Sequence, residues 1–309
     1  MSNFLTIDGG TTNTRVYLIK NDLLADSVAL NVGARSAIED KMILKNAIKN
    51  AIDKLLSAHS LGANDVKAIL ASGMITSESG LMPIEHISLP VGVHELAEAI
   101  KCYCFNEITP IPFYFVPGVK IVSDKLEDAD MIRGEETEIM GIIQGDGIYV
   151  LEGSHSKIIK VKDGRIVDFN TMLTGEMISS LSEHTILKDS LRLDKSCLDR
   201  EHLKRGFEYA RKNGLNEALF KTRVLKNLFG ADYDLTYSFF LGAILQGEVN
   251  AILCMGAEKV VISGQKQIKM AVAMLLEECG LEVTVVPEEE VGLSVVKGII
   301  GIFKHKYGE

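Results

Sequence analysis

The 309-residue chain has little cysteine, no excess of positive charge and no tryptophan. Its five cysteines, at 102, 104, 197, 254 and 279, form an odd and irregularly spaced set. They make no disulfide framework, and Cys102 and Cys104 stand too close together for the spacing of a zinc knuckle. Reduced, buried thiols in a cytoplasmic protein are expected. Acidic residues outnumber basic ones, 42 to 33, and the net charge of −9 argues against a nucleic-acid partner, because binding a polyanion needs a basic surface. No apolar run reaches the length of a membrane-spanning helix, so no membrane partner is expected. The first residues lack the basic segment and apolar stretch of a secretory signal. Low-complexity tracts and long linkers are missing as well. What remains is an ordinary globular balance, 47 % apolar and 24 % charged, in a chain long enough for two domains.

The most informative stretch lies near the start. Residues 4–7 and 15–18 are rich in β-branched and aromatic side chains and read as two strands. Between them runs Asp8-Gly9-Gly10-Thr11-Thr12-Asn13. Gly9 and Gly10 let a ligand or another backbone come close. A turn that presents several N–H groups cradles an anion, and Thr11, Thr12 and Asn13 add groups that can reach phosphate oxygens. Asp8 is an oxygen donor suited to Mg²⁺, directly or through water. The Asp-Gly-Gly turn by itself fits a plain β-hairpin equally well. The whole string between two strands resembles the first phosphate loop of the sugar kinase, hsp70 and actin superfamily.

Further along, residues 26–32 fit a third strand, and 38–59 carry apolar side chains at helical spacing. A strand at 66–71 leads into Ser72-Gly73-Met74-Ile75-Thr76, a polar loop beyond the end of a strand, where open α/β sheets place ligands. Residues 80–92 read as loop, 93–105 as helix and 110–116 as strand. The segment Asp130-Met131-Ile132-Arg133-Gly134-Glu135-Glu136-Thr137 then sets a cluster of carboxylates and one arginine before an apolar helix pattern. A solvated acidic helix start, favoured by the helix dipole, is one reading. The other has a carboxylate taking a proton from a substrate hydroxyl while the planar fork of Arg133 binds an acidic substrate group. The pattern does not choose among Glu135, Glu136 and Asp130 as that base.

At residue 147 the opening pattern restarts: a strand at 148–151, the loop Glu152-Gly153-Ser154-His155-Ser156-Lys157, then strands at 158–161 and 166–170. A strand, a glycine–hydroxyl loop and a strand therefore occur twice, which marks an internal repeat. Helices are expected at 171–187, 199–218, 219–228, 233–255, 268–278 and 288–303, and strands at 260–263 and 282–286. Small residues in the long helix (Gly242, Ala243, Gly247) suit close helix packing.

These pieces together resemble the 2-dehydro-3-deoxygalactonokinase family. The resemblance runs over nearly the whole chain: residues 7–15, Ser72-Gly73-Met74-Ile75 with Pro83 and Pro90, Ile132-Arg133-Gly134-Glu135-Glu136-Thr137, Gly153-Ser154-His155-Ser156-Lys157, and Asn170-Thr171-Met172-Leu173-Thr174-Gly175-Glu176. The second loop departs from the family's leucine–proline–glycine–threonine–histidine–serine–lysine–tryptophan string. Glu152 and Ile158 flank it here and Ser154 replaces the threonine. The serine keeps the hydroxyl, whereas Glu152 puts a negative charge near a polyphosphate unless it turns away or meets Mg²⁺.

The resemblance implies an α/β protein of two ribonuclease H-like, actin-like ATPase domains with mixed sheets flanked by helices and an ATP cleft between them. The domains would span 1–145 and 146–309, with the last helix, about 291–309, packing back on the first. It implies transfer of a phosphoryl group from ATP, with Mg²⁺ at Asp8, to a hydroxyl of a 2-keto-3-deoxy sugar acid. Catalysis would fall to Asp8 and to Glu135, Glu136 or Asp130. Nucleotide contacts would come from Gly9 to Asn13, from Gly153 to Lys157 and from Gly264, and substrate contacts from Arg133, Ser72, Gly73, Met74 and Thr76. The partner is a small sugar acid in the cytoplasm, and a homodimer is left open. A kinase for another sugar, or a nucleotide-binding sensor without catalysis, uses the same scaffold.

Overall fold

The computed structural model describes residues 3–193 and 197–308. Along the chain it begins with β1 (Asn3–Gly9), β2 (Thr14–Lys20), β3 (Leu23–Leu30), α1 (Ser36–Glu39), α2 (Lys41–Ala58) and β4 (Ala68–Gly73). Then come β5 (Ile87–Ser88), α3 (Val93–Ala99), β6 (Lys101–Tyr103), β7 (Phe113–Phe115), β8 (Val119–Ile121), β9 (Asp130–Ile132) and α4 (Glu135–Ile142). The second half holds β10 (Gly147–Glu152), β11 (Ser156–Lys162), β12 (Arg165–Met172), α5 (Thr174–His184), α6 (Arg200–Asn213), α7 (Leu215–Phe229) and α8 (Tyr233–Cys254). It closes with β13 (Lys259–Gly264), α9 (Lys266–Glu278), β14 (Glu282–Val285), α10 (Glu288–Val291) and α11 (Ser294–Tyr307).

The chain forms two compact units. The first contains residues up to Gln144, with Asp163–Asp168 and everything from Gly292 onward. Its six-stranded sheet runs β3-β2-β1-β4-β7-β6, and β5-β8-β9 make a smaller one. β1 is antiparallel to β2 and parallel to β4. Leu44, Ile48, Ala51, Ile52, Leu55 and Leu56 form the buried stripe of α2 and share one core with Leu5, Ile7, Val16 and Leu18 of the sheet. Removing each of the leucine, isoleucine and valine side chains from water is worth about 1.5–3 kcal/mol. α11 belongs to this unit, with Phe303 edge-on to Phe4 at 5.6 Å.

The second unit spans Gly145–Lys162 and Phe169–Val291. Its sheet runs β12-β11-β10-β13-β14, with β10 antiparallel to β11 and parallel to β13. The order β12-β11-β10-β13 repeats β3-β2-β1-β4, so the echo seen in the sequence is an echo in topology. α8 is long and apolar enough to cross a membrane, unlike the reading from the sequence, yet two-thirds of its most apolar stretch is buried inside the protein. It shares the core with α6 and α9. Gly242 approaches the Leu203 carbonyl too closely for any side chain, whereas Gly247 has only Met172 Cε, at 4.0 Å, near it.

Other expectations change, and the helix expected at 288–303 is split into α10 and α11. The helix at 38–59 is broken at Asp40, whose carboxylate accepts a hydrogen bond from Met42 N at 2.8 Å and starts α2 afresh. The helix at 93–105 stops at Ala99, because Lys101–Tyr103 pair as an edge strand with β7. All five cysteines are free but exposed instead of buried. Cys102 lies on that edge strand, and Cys254 and Cys279 lie at the ends of α8 and α9.

Candidate active site

In the first unit the ends of β1 and β4 and the start of α4 converge. Asp8 pairs with Arg15 across the antiparallel ladder and with Ser72 across the parallel one. The Asp8 carboxyl is pushed upward, first by burial and also by the charge of Glu135, with Arg15 opposing. Gly73 takes a left-handed φ of 84° and lies so near Gly9 that a Cβ would sit 2.5 Å from its carbonyl oxygen. A Cβ on Gly134 would stand 3.1 Å from Gly73 Cα, which brings the start of α4 onto the same spot. The Ser72 hydroxyl is fully buried and has no hydrogen-bond partner among the described residues.

The turn from Gly10 to Asn13 is closed by the Gly10 N–H donating to the Asn13 carbonyl at 2.8 Å, and it is propped from behind by Ala34 and Arg35 N–H groups donating to the Gly10 and Thr11 carbonyls. Thr11, Thr12 and Asn13 are exposed at its tip. A hairpin turn with a rigid back and a polar, open front is what an anion cradle requires.

The carboxylate cluster divides. Glu136 is fully buried, and its oxygens accept from Gly134 N at 2.7 Å and from Thr137 Oγ1 at 3.1 Å. Burial, with the charge of Glu135, pushes it up to about 8. Glu135 is half-buried and accepts from Arg133 N at 2.9 Å. Asp130 lies back on β9, where its carboxylate accepts from Met131 N at 2.7 Å.

Arg133 does not offer its fork to a ligand. Nη1 donates to the Thr76 carbonyl at 2.7 Å and to the Thr76 hydroxyl, and Nη2 donates to the Ile84 carbonyl at 3.0 Å and meets His86 Nδ1 at 3.1 Å. Four of its five donors thus tie down the loop that follows β4. Thr76 is fully buried, its hydroxyl donating to the Gly73 carbonyl at 2.9 Å, and Met74 is half-buried. His86, unnoticed in the sequence, is held neutral: burial first, then the charges of Arg133 and Lys120, lower it to about 4. With Nδ1 accepting from Arg133, its proton sits on Nε2.

In the second unit, the turn between β10 and β11 exposes Ser154 and His155 and leaves Gly153 half-buried. It is clamped to the first turn of α5: Glu176 N donates to the Ser154 carbonyl at 2.9 Å, and His155 Nε2 lies 3.1 Å from Glu176 Oε1. Ser156 and Lys157 are buried, not presented at the turn. Ser156 Oγ donates to Glu152 Oε2 at 2.6 Å, and Lys157 Nζ donates to the His155 carbonyl at 3.3 Å. Glu152 turns inward, so it does not face the turn; burial and the neighbouring Glu248 raise it well above the ordinary carboxyl range. Gly264, with φ of 104°, packs its Cα where a Cβ would lie 2.0 Å from the Glu152 carbonyl, which explains that glycine by packing. Glu248 was the other residue missed. Its signal was a lone carboxylate within the apolar run of α8.

The model of the family 2-keto-3-deoxy-galactonokinase matches residues 8–300 of the chain. A Rhizobium meliloti (strain 1021) protein carrying the name 2-dehydro-3-deoxygalactonokinase is 26 % identical over 61 % of this chain and 59 % of its own length. The match therefore spans less than two-thirds of that relative. The Escherichia coli (strain K12) protein of the same name is 23 % identical over 82 % of this chain and 76 % of its own. Among solved structures, a Sinorhizobium meliloti protein described by that name superposes with a TM-score of 0.82 at 21 % identity, covering 99 % of this chain and 100 % of the other. The activator of the 2-hydroxyisocaproyl-CoA dehydratase from Clostridium difficile, solved with bound ADPNP, gives a TM-score of 0.53 at 12 % identity over 99 % and 96 %. These two structures share the fold of this chain.

Proposed function

Since the chain belongs to the 2-keto-3-deoxy-galactonokinase family, we propose that it transfers the γ-phosphoryl group of ATP to the primary hydroxyl of 2-dehydro-3-deoxy-D-galactonate, giving the 6-phosphate. The observation that carries this reading, beside the family, is the meeting of Asp8, Glu135 and the buried Ser72 hydroxyl where β1, β4 and α4 converge.

Among the described residues no group of three or more histidines, cysteines or carboxylates is placed to cage a metal. Mg²⁺ needs no such cage when it shares its shell with waters and phosphates and takes one or two carboxylates from the protein. Asp8, near the end of β1 and just ahead of the turn that carries Thr11 and Thr12, suits that mode. Mg²⁺ bound there would neutralise charge on the phosphates. In the first unit, Thr11, Thr12, Asn13 and the N–H groups of the turn would hold phosphate oxygens; in the second unit, Ser154 and the backbone of Gly153 offer donors of the same kind. Gly264 would fix the end of β10 and leave the adenosine contact to other groups.

Phosphoryl transfer asks the protein for position and charge rather than covalent chemistry. Glu135 is our choice for the proton acceptor, because it is partly open and lies within the electrostatic reach of Asp8. Glu136 is enclosed and holds a proton of its own. Arg133 becomes the residue that shapes the 74–86 loop, and His86 Nε2–H is the donor that loop offers to the acceptor. The reaction belongs in the cytoplasm, where its nucleotide is.

A coupled ADP-release assay with Mg-ATP tests the reading. Turnover with 2-keto-3-deoxygalactonate, weak turnover with 2-keto-3-deoxygluconate, and none above blank with galactonate or glucose supports it. ADP release equal to the blank with every acceptor, despite ATP binding, overturns it.

A further inference from the structure

Behind the second turn, two carboxylates lie together, and no described residue forms an ion pair with either. Glu152, the last residue of β10, and Glu248, in the C-terminal third of α8, are 3 % and 1 % exposed. One oxygen of each is held by a hydroxyl: Ser156 Oγ donates to Glu152 Oε2 at 2.6 Å, and Thr174 Oγ1 donates to Glu248 Oε2. The remaining oxygens, Glu152 Oε1 and Glu248 Oε1, are buried and receive no donor from any described residue. The two carboxyls are within hydrogen-bonding reach of each other.

Two bare carboxylates in contact and out of water repel each other and lack their solvation. One proton held between the two carboxyls relieves both penalties. Burial and Glu248 both favour the protonated form of Glu152. The charged group nearest in the chain, Lys157, directs its ammonium to the His155 carbonyl, and Glu176 on α5 faces His155. The described groups that hydrogen-bond the pair are the hydroxyls of Ser156 and Thr174.

We propose that Glu152 and Glu248 hold a single proton between them, and that this shared proton sets the shape of the phosphate-facing turn at residues 153–157. The pair joins four elements immediately behind that turn. Glu152 ends β10, Ser156 begins β11, Thr174 begins α5, and Glu248 brings in α8. Losing the proton leaves two negative charges side by side and pushes β10 away from α8, and the turn rides on the end of β10. Glu152 and Glu248 are positioning residues. They touch no ligand and act through the turn. The role in holding phosphate rests on the kinase reading, but the proton and its effect on the turn do not.

The test compares the full-length wild type with Glu152→Gln and Glu248→Gln, each of which replaces the shared proton by a permanent amide N–H. Infrared difference spectra at pH 7 should show a protonated-carboxyl C=O band in the wild type that is missing from each variant. Amide exchange, expressed as protection corrected for intrinsic rate, should fall about tenfold at residues 153–157 of the wild type as pH is raised through loss of that band, the factor expected for one buried hydrogen bond. Both variants should show no such step. In the wild type the KM for ATP should rise over the same pH range while kcat holds. If neither substitution removes a carboxyl band at pH 7, or wild type and variants lose protection alike, the proposal is wrong. Neither the spectra nor the exchange uses nucleotide, so their failure is separate from failure of the kinase reading.

Discussion

Asp8 and Ser72 stand opposite each other in the parallel pairing of β1 with β4, and the Ser72 hydroxyl is buried with nothing among the described residues to bond to. An orphaned hydroxyl beside a buried carboxyl destabilises the empty protein unless a ligand uses it. Ser72→Ala should therefore leave the unliganded protein as stable as the wild type, or more stable by about 1 kcal/mol. The same change should lower kcat/KM for the acceptor. Urea denaturation and steady-state kinetics on one preparation check both halves. A loss of stability with unchanged kinetics would show that Ser72 serves the fold alone.

The tie between Arg133 and the loop after β4 makes a different forecast. Lysine keeps the charge but is a point donor that cannot span Thr76, Ile84 and His86. Arg133→Lys should lower stability by about 2–3 kcal/mol, since several buried acceptors are left without a donor. If the fork instead bound the carboxylate of the substrate, Arg133→Lys would raise KM for the acceptor and leave the unfolding midpoint in place.

Glu136 gives the fold a pH dependence. Its carboxyl is raised to about 8 in the folded protein from an ordinary 4.5. Between those values the folded state keeps a proton that the unfolded state has released, so the stabilising contribution is complete below pH 4.5 and lost as pH rises through 8. Glu136→Gln is an isostere of the neutral acid. It should match the wild type near pH 5 and become the more stable of the two toward pH 9. Denaturation series at pH 5, 7 and 9 would record the crossing, and parallel pH profiles for the two proteins would contradict it.

α4, which carries Glu135 and Glu136, is seated on α11 by glycine contacts. A Cβ on Gly298 would lie 1.9 Å from the Thr137 carbonyl, and one on Gly141 would lie 1.9 Å from the Ser294 carbonyl. Backbone atoms on both sides leave no flexible group to yield. Gly298→Ala should destabilise the first unit by about 3 kcal/mol, the upper end of ordinary overpacking. It should also reduce turnover through displacement of Glu135. Thermal unfolding and kcat, measured together, test this.

Much of this was legible in the sequence because it is local. Both strand–turn–strand units declare themselves by β-branched runs flanking glycine, and their repetition pointed to the repeated sheet order. The break in the first long helix had a readable cause in the capping Asp40. Other features depend on distant partners. Lys101–Tyr103 become a strand only because β7 offers an edge. The donors of Arg133 go to residues between 76 and 86, so its position beside the carboxylates suggested a substrate contact that the loop instead absorbs. Adjacent Glu135 and Glu136 look alike in sequence, but neighbouring positions at the start of α4 face different directions, and packing leaves one half-buried and encloses the other. Ser156 and Lys157 stand in the polar string of the second loop, but β11 begins with them and is covered on both faces over its first four residues, so both are enclosed.

The most direct measurement is phosphorus NMR of the product formed from Mg-ATP and 2-keto-3-deoxygalactonate. The account predicts one new phosphomonoester whose phosphorus couples to the two protons of the C6 methylene, absent when Asp8→Ala replaces the wild type. ATP turned over to free phosphate with no ester, or an ester on a secondary hydroxyl, would contradict it.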